Sequence, residues 1–152
     1  GDIEGLNLLE VTTTFRPGKI VRPVRMRPAG QGSFLQEGPS EIEGYEIHSG
    51  VTVPLHGEVL PAFYRIAPGK APEGEGVVSR LGSCFGTSVH GLFEADLFRR
   101  QFVNVLRKRK GLPMLAGPAV NFTQIQETEF DRWARLVEAH LDWPLLNRIL
   151  KG

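Results

Sequence analysis

The spacing of the apolar residues changes once along this chain, at His90, and that change limits what the chain can fold into. Before it, short runs rich in β-branched residues alternate with glycine- and proline-bearing breaks, the pattern of strands and turns. After it, Leu92, Phe93, Leu97, Phe98, Phe102, Val105 and Leu106 recur at three-and-four spacing, the stripe of an amphipathic helix. Strands followed by helices describe an α+β domain or the later part of a larger α/β sheet. The pattern alone leaves both open.

The strand candidates are residues 8–15, 20–26, 41–48, 58–60, 62–66, 77–81 and 83–87. A turn, Arg16-Pro17-Gly18-Lys19, is expected between the first two, and Pro23 confines the second to an edge or a bulge, since proline donates nothing to a ladder. The third run stops at Ser49-Gly50, and residues 28–39 and 68–76 read as loops. The helix after His90 should end near Gly111, with Lys108, Arg109 and Lys110 at its negative C-terminal pole. Residues 112–124 read as a linker. A second amphipathic helix carries Phe130, Trp133, Ala134, Val137 and Leu141, with Asp131 and Arg135 at i,i+4 spacing. A short last helix over 145–150 has Pro144 at its first turn.

Composition removes several classes. At 152 residues one domain is the default. A single cysteine, Cys84, excludes an internal disulfide and a cysteine-only zinc cluster. A net charge of +1 gives no general attraction to nucleic acid or anionic membrane. No stretch approaches the roughly 20 apolar residues of a membrane helix, and the N-terminus has no signal-peptide pattern. The cytoplasm is the expected location. The basic run of Arg99, Arg100, Arg107, Lys108, Arg109 and Lys110 lacks the interleaved aromatics of a nucleic-acid patch and reads as a solvated helix face and cap.

Two histidines stand at strand ends beside glycine: His48 in Gly44-Tyr45-Glu46-Ile47-His48-Ser49-Gly50, and His90 in Gly86-Thr87-Ser88-Val89-His90-Gly91-Leu92-Phe93. Ligands of open α/β sheets bind beyond the carboxyl ends of strands, and glycine lets backbone approach them closely. Each imidazole is therefore either a functional group or the cap of its own turn. Cys84, in a strand six residues before His90, would lie about 20 Å from it along a straight strand, so a buried inert thiol is the better reading than a Cys–His dyad. His48, His56, Cys84, His90 and His140 show no metal-ligand spacing, and no metal site is expected.

The two histidine segments together resemble G-Y-E-I-H-x-G and G-T-Y-L-H-G-L-F of the cobyric acid synthase family. Gly5-Leu6-Asn7-Leu8-Leu9-Glu10-Val11-Thr12-Thr13-Thr14-Phe15 is similar to the family's G-L-x-L-L-x-V-x-T-x-F strand. Phe130-Asp131-Arg132-Trp133-Ala134 and His140-Leu141-Asp142 resemble its closing helix. The likeness covers nearly the whole chain. It implies an α/β fold, the C-terminal part of a class I glutamine amidotransferase-like (flavodoxin-like) domain, with a mixed sheet and flanking helices. Residues 1–111 would be that portion of the domain, and 112–152 a linker and C-terminal helical tail packing on it.

In that family a cysteine attacks the side-chain amide of glutamine, the histidine of H-G-L-F is the general base, and a thioester is hydrolysed. An N-terminal ATP-dependent domain uses the ammonia to amidate adenosylcobyrinic acid a,c-diamide in cobalamin biosynthesis. The resemblance thus implies His90 as catalytic base, and His48, Ser49 and Glu46 as residues of the glutamine pocket. Ser88 stands where the family has tyrosine, and Ser49 where methionine is common. The G-I-C-G-G-Y nucleophile elbow and the phosphate loop have no counterpart here, and Cys84 does not replace the nucleophile. The chain is therefore expected to be an inactive fragment. It would bind no cofactor itself, with ATP and magnesium belonging to the missing synthetase domain. Its partners would be glutamine, the missing synthetase and nucleophile segments, and a second copy of itself at the open sheet edge, with no nucleic acid or membrane. The same residues also suit a non-catalytic binding or assembly module, or a related amidotransferase with another acceptor, such as cobyrinic acid or a lipid-linked cell-wall precursor.

Overall fold

A computed structural model describes residues 1–30, 35 and 41–151. The loop expected over residues 28–39 falls mostly outside them. The chain divides into two compact units, Gly1–Ala119 and Val120–Gly152.

The first unit is built on two long strands, β1 (Val11–Pro28) and β2 (Ile42–Pro54), paired antiparallel. Three short strands complete the sheet: β3 (Phe63–Arg65), β4 (Glu73–Glu75) and β7 (Val89–His90), in the order β4-β3-β1-β2-β7. β5 (Val77–Val78) and β6 (Phe85–Gly86) form a separate two-stranded ribbon. Each of these pairings is antiparallel. One 3₁₀ turn, Leu92–Glu94, leads into α1 (Asp96–Arg109).

Residues 16–19 do not separate two strands as expected. β1 pairs with the same partner on both sides of them, Phe15 with Gly50 and Ile20 with His48, so four residues are looped out opposite Ser49. Pro17 lacks a donor and Gly18 has φ +99°, so this excursion needs no ladder bonds and meets no steric penalty at its turn. It also resets strand parity. Phe15 and Ile20 are an odd number apart, yet both lie opposite even-numbered residues of β2 and so share one face. Beyond the excursion β2 runs on past Gly50 to Pro54. At Pro23 the far side of β1 is unpaired among the described residues, because β3 reaches only Met26–Pro28; the edge position expected for this proline is met. β4 lies inside the expected loop over 68–76 and exists through its pairing with β3.

The core lies on one face of the sheet, where Val24, Met26, Ile42, Phe63, Val89 and Leu92 are buried. Helix α1 closes it through Phe98, whose ring meets Phe63 edge-on at 5.9 Å and stacks on Phe102 at 6.2 Å. α1 stops as expected: Gly111, at φ +67°, donates to the Lys108 carbonyl, and Arg107, Lys108 and Arg109 occupy the last turn. Not all of its basic face is solvated. Arg100 donates to the carbonyls of Leu115, Ala116 and Pro118, and Arg107 to that of Pro113 at 2.6 Å, so two arginines fasten the segment after the helix.

The same sheet face also buries an acid. Glu46 is 0% exposed, and its two oxygens accept from Arg22 Nε, at 2.6 Å, and from an Arg65 amino nitrogen. The three residues stand on β2, β1 and β3, so one carboxylate joins three strands. Hydrogen bonding with Glu46, and then its charge, raise Arg22 above the ordinary arginine range, against the opposing effect of burial. Stability gained that way is present below that range and is lost only as pH climbs through the raised value.

The second unit holds α2 (Phe122–His140) and α3 (Trp143–Lys151). Asn121 caps α2 by accepting from the Gln124 amide at 2.9 Å, and Asp142 does the same for Leu145 at the start of α3, where Pro144 stands in the first turn. Glu46→Ala is expected to destabilise the chain by about 3 kcal/mol, because it leaves a largely buried Arg65 without its main counter-charge. Glu43→Ala, at an exposed pair with Arg25, should change stability by less than about 0.5 kcal/mol. Urea denaturation of both variants beside the parent measures the contrast.

Candidate functional site

β7 is two residues long and lies against the middle of β2, with Val89 opposite Glu46 and His90 opposite Tyr45. Directly opposed residues in an antiparallel pair point to the same side. Val89 is therefore buried with Glu46, while His90 and Tyr45 are exposed on the other face. The two rings stack there almost parallel, 8° apart with centroids at 5.3 Å. This contact favours one orientation of the imidazole plane.

Two glycines make the arrangement sterically accessible. A β-carbon on Gly44 would collide with the His90 carbonyl oxygen and lie 2.7 Å from Val89 Cγ1. Gly91, at φ +81°, lets the chain turn at once from His90 into the 3₁₀ turn and α1. Gly44 and Gly91 thus serve one path, that of β7 along β2 and into the turn after it.

The residues expected to act together are divided by the sheet. Glu46 and His48 are on the core side. His48 is half-buried, its Nδ1 2.8 Å from the Gly50 carbonyl oxygen, at the rim of a concavity of about 670 Å³ that Arg65, Glu75, Thr87 and Ser88 also line. His90 does not line it. Strand alternation puts Ser49, which is exposed, on the side of Tyr45 and His90. Arg65 is 22% exposed, and its Nε is buried without a hydrogen-bond partner.

Cys84 lies in the tight turn between β5 and β6 rather than inside a strand. Its carbonyl accepts from the Ser79 amide at 2.9 Å, and its own amide donates to Ser79 Oγ at 3.0 Å. Among the described residues no three His, Cys, Asp or Glu side chains cluster as metal ligands, and no helix is long and apolar enough to cross a membrane. Four participants escaped the sequence reading. Tyr45 was readable as part of the first histidine motif. Arg22, Arg65 and Glu75 are joined to their partners only by the strand register.

Comparison with known proteins fixes the family. Residues 1–98 match the model of the CobB/CobQ-like glutamine amidotransferase domain. The chain belongs to that family. Its α/β build, with an antiparallel sheet in this portion and helices following, is that of a class I glutamine amidotransferase-like fold, as the two histidine motifs implied. The chain is 41% identical to a cobyric acid synthase of Sorangium cellulosum over 96% of its length, and 38% identical to one of Moorella thermoacetica over 97%. It is 36% identical, over its whole length, to a probable cobyric acid synthase of Methanothermobacter thermautotrophicus. The chain spans about 30% of the length of these curated relatives.

Within this CobB/CobQ-like domain, Gly44→Ala is expected to push β7 off β2. It should cost about 2 kcal/mol, as forced overpacking typically does, and should move the His90 ring protons out of the shielding of Tyr45. Thermal denaturation and the imidazole proton shifts in NMR spectra read the two effects.

Proposed function

We propose that this chain is the base-bearing part of a glutamine-hydrolysing cobyric acid synthase, with His90 as the general base. The observation that carries the reading is His90 itself: exposed, stacked on Tyr45, and followed by a glycine whose left-handed backbone turns the chain away at once. The family and the cobyric acid synthase names of the relatives support the same reading.

In this mechanism His90 takes the proton of a cysteine thiol, and the thiolate attacks the side-chain carbonyl carbon of glutamine. The imidazolium returns the proton to the departing nitrogen, which leaves as ammonia. A water, deprotonated by the same imidazole, then opens the thioester to glutamate and restores the thiol. The nucleophile comes from the remainder of the longer protein, because the chain spans about 30% of the length of its relatives and Cys84, the one cysteine here, stands in no nucleophile elbow. Of the three residues assigned to the glutamine pocket, Ser49 shares His90's face. It stands four residues along β2 from Tyr45, about 13 Å, a span that glutamine covers with one hydrogen bond at each end. Glu46 ties that strand to β1 and β3 from beneath, and His48 bonds within it, to the Gly50 carbonyl.

The ammonia is used by the ATP- and magnesium-dependent synthetase portion of the protein to amidate adenosylcobyrinic acid a,c-diamide in the cytoplasm. In the full-length protein, His90→Ala is expected to lower glutamine hydrolysis by about 10³-fold while amidation driven by added ammonia persists. Cys84→Ala should leave both unchanged, and the 152-residue chain alone should release no ammonia. Assays of ammonia release and acceptor amidation decide. Glutamine hydrolysis by this chain that is lost in Cys84→Ala would overturn the reading.

A further inference from the structure

We propose that Glu75 is a positioning residue for His90, holding from the core side the segment that presents the base on the other face. The proposal rests on the reading of His90 as general base.

β7 is too short to fix His90 alone, since only two residues pair with β2. The three residues before His90 are held instead by one buried side chain. Glu75, at the end of β4, is 3% exposed. One carboxyl oxygen accepts from the Ser88 amide and the Ser88 hydroxyl, both at 3.0 Å, and the other accepts from Thr87 Oγ1 at 2.6 Å. Thr87 Oγ1 in turn accepts from the Val89 amide at 3.0 Å. The N–H of Ser88 is thus tied to Glu75 directly, and that of Val89 through one hydroxyl. Both lie immediately before the base.

Glu75 is itself well anchored. It stands opposite Phe63 in the β3–β4 ladder, and its carbonyl accepts from the Ala62 amide at 3.1 Å. The next residue, Gly76, has φ +65°, and a β-carbon there would strike the Gly86 carbonyl oxygen. This close approach brings the end of β4 beside residues 86–88. A buried carboxyl group is costly unless its oxygens are satisfied, and here neutral donors from one short segment supply its hydrogen bonds. An apolar residue would fill the space but leave those donors unanswered. What the acid contributes is a fixed path into β7, and general-base catalysis is sensitive to displacements of about 1 Å.

The test uses the full-length protein, comparing kcat and KM for glutamine hydrolysis and the melting temperature across variants. Glu75→Ala should lower kcat about 10- to 100-fold with KM for glutamine unchanged within about threefold. Glu75→Gln should restore kcat to within about threefold of the parent, because its oxygen still accepts from Ser88 and its amide nitrogen can donate to Thr87. Thr87→Val, which removes the hydroxyl link to Val89, should lower kcat about 10-fold with the protein folded. Parental kcat in a folded Glu75→Ala protein, or an effect confined to KM, would overturn the proposal. If Glu75→Ala does not fold, parental kcat in Thr87→Val overturns it. His90→Ala separates the two levels: retained hydrolysis there sinks the base assignment itself, whereas lost hydrolysis with parental Glu75→Ala sinks only the positioning role.

Discussion

A carboxylate sealed from water must be answered by cations or donors within the protein, and Glu46 is answered from two directions. Arg22 reaches it from its cross-strand position on β1, and Arg65 comes from β3. A one-residue slip of β1 on β2 would turn Arg22 to the opposite face and leave the acid half-paired. Apolar contacts among Val24, Met26, Ile42 and Phe63 tolerate some rearrangement, but this cluster does not, because each alternative leaves a charge unpaired in the core. It therefore acts less as a source of stability than as a lock on register.

That register decides which residues can work together. With Arg22 opposite Glu46 and Val89 opposite Glu46 on the other flank, His90 must fall opposite Tyr45 and point outward. The sheet is a partition: an acid network and a concavity on one side, a stacked Tyr45–His90 pair on the other. Nearness in sequence between Glu46 and Ser49 conceals that they belong to different faces. The Tyr45–His90 pair on the outer face is tied to the polar contacts of Glu75 on the inner one through the backbone of residues 87–89 rather than through side chains meeting directly.

Much of this was legible in the residues and some was not. The change of period at His90, the stop at Gly111, the edge position of Pro23 and the two histidine motifs all depend on local chemistry, which a sequence states openly. β4 was hidden because Glu-Gly-Glu has no strand-like pattern; three residues became a strand because β3 lay alongside. The Glu46 cluster and the bonds of Glu75 to Thr87 and Ser88 were hidden for a related reason. Their partners are 12 to 24 residues away in the chain, and only a settled register says which of many acids and arginines meet. Arg100 shows the opposite error. Its helical position marks it as solvent-facing, which leaves unsaid that a returning segment would offer it carbonyls.

The four residues looped out of β1 opposite Ser49 have an evolutionary corollary. A ladder normally forbids insertion or deletion of a single residue, since everything beyond the change would swap faces. Here the parity is already reset outside the ladder, by residues that owe it no bonds. The excursion can lengthen or shorten while Ile20 stays opposite His48 and Arg22 opposite Glu46. Related chains can therefore differ in length at residues 16–19, beside Ser49, without disturbing the register of β1 on β2.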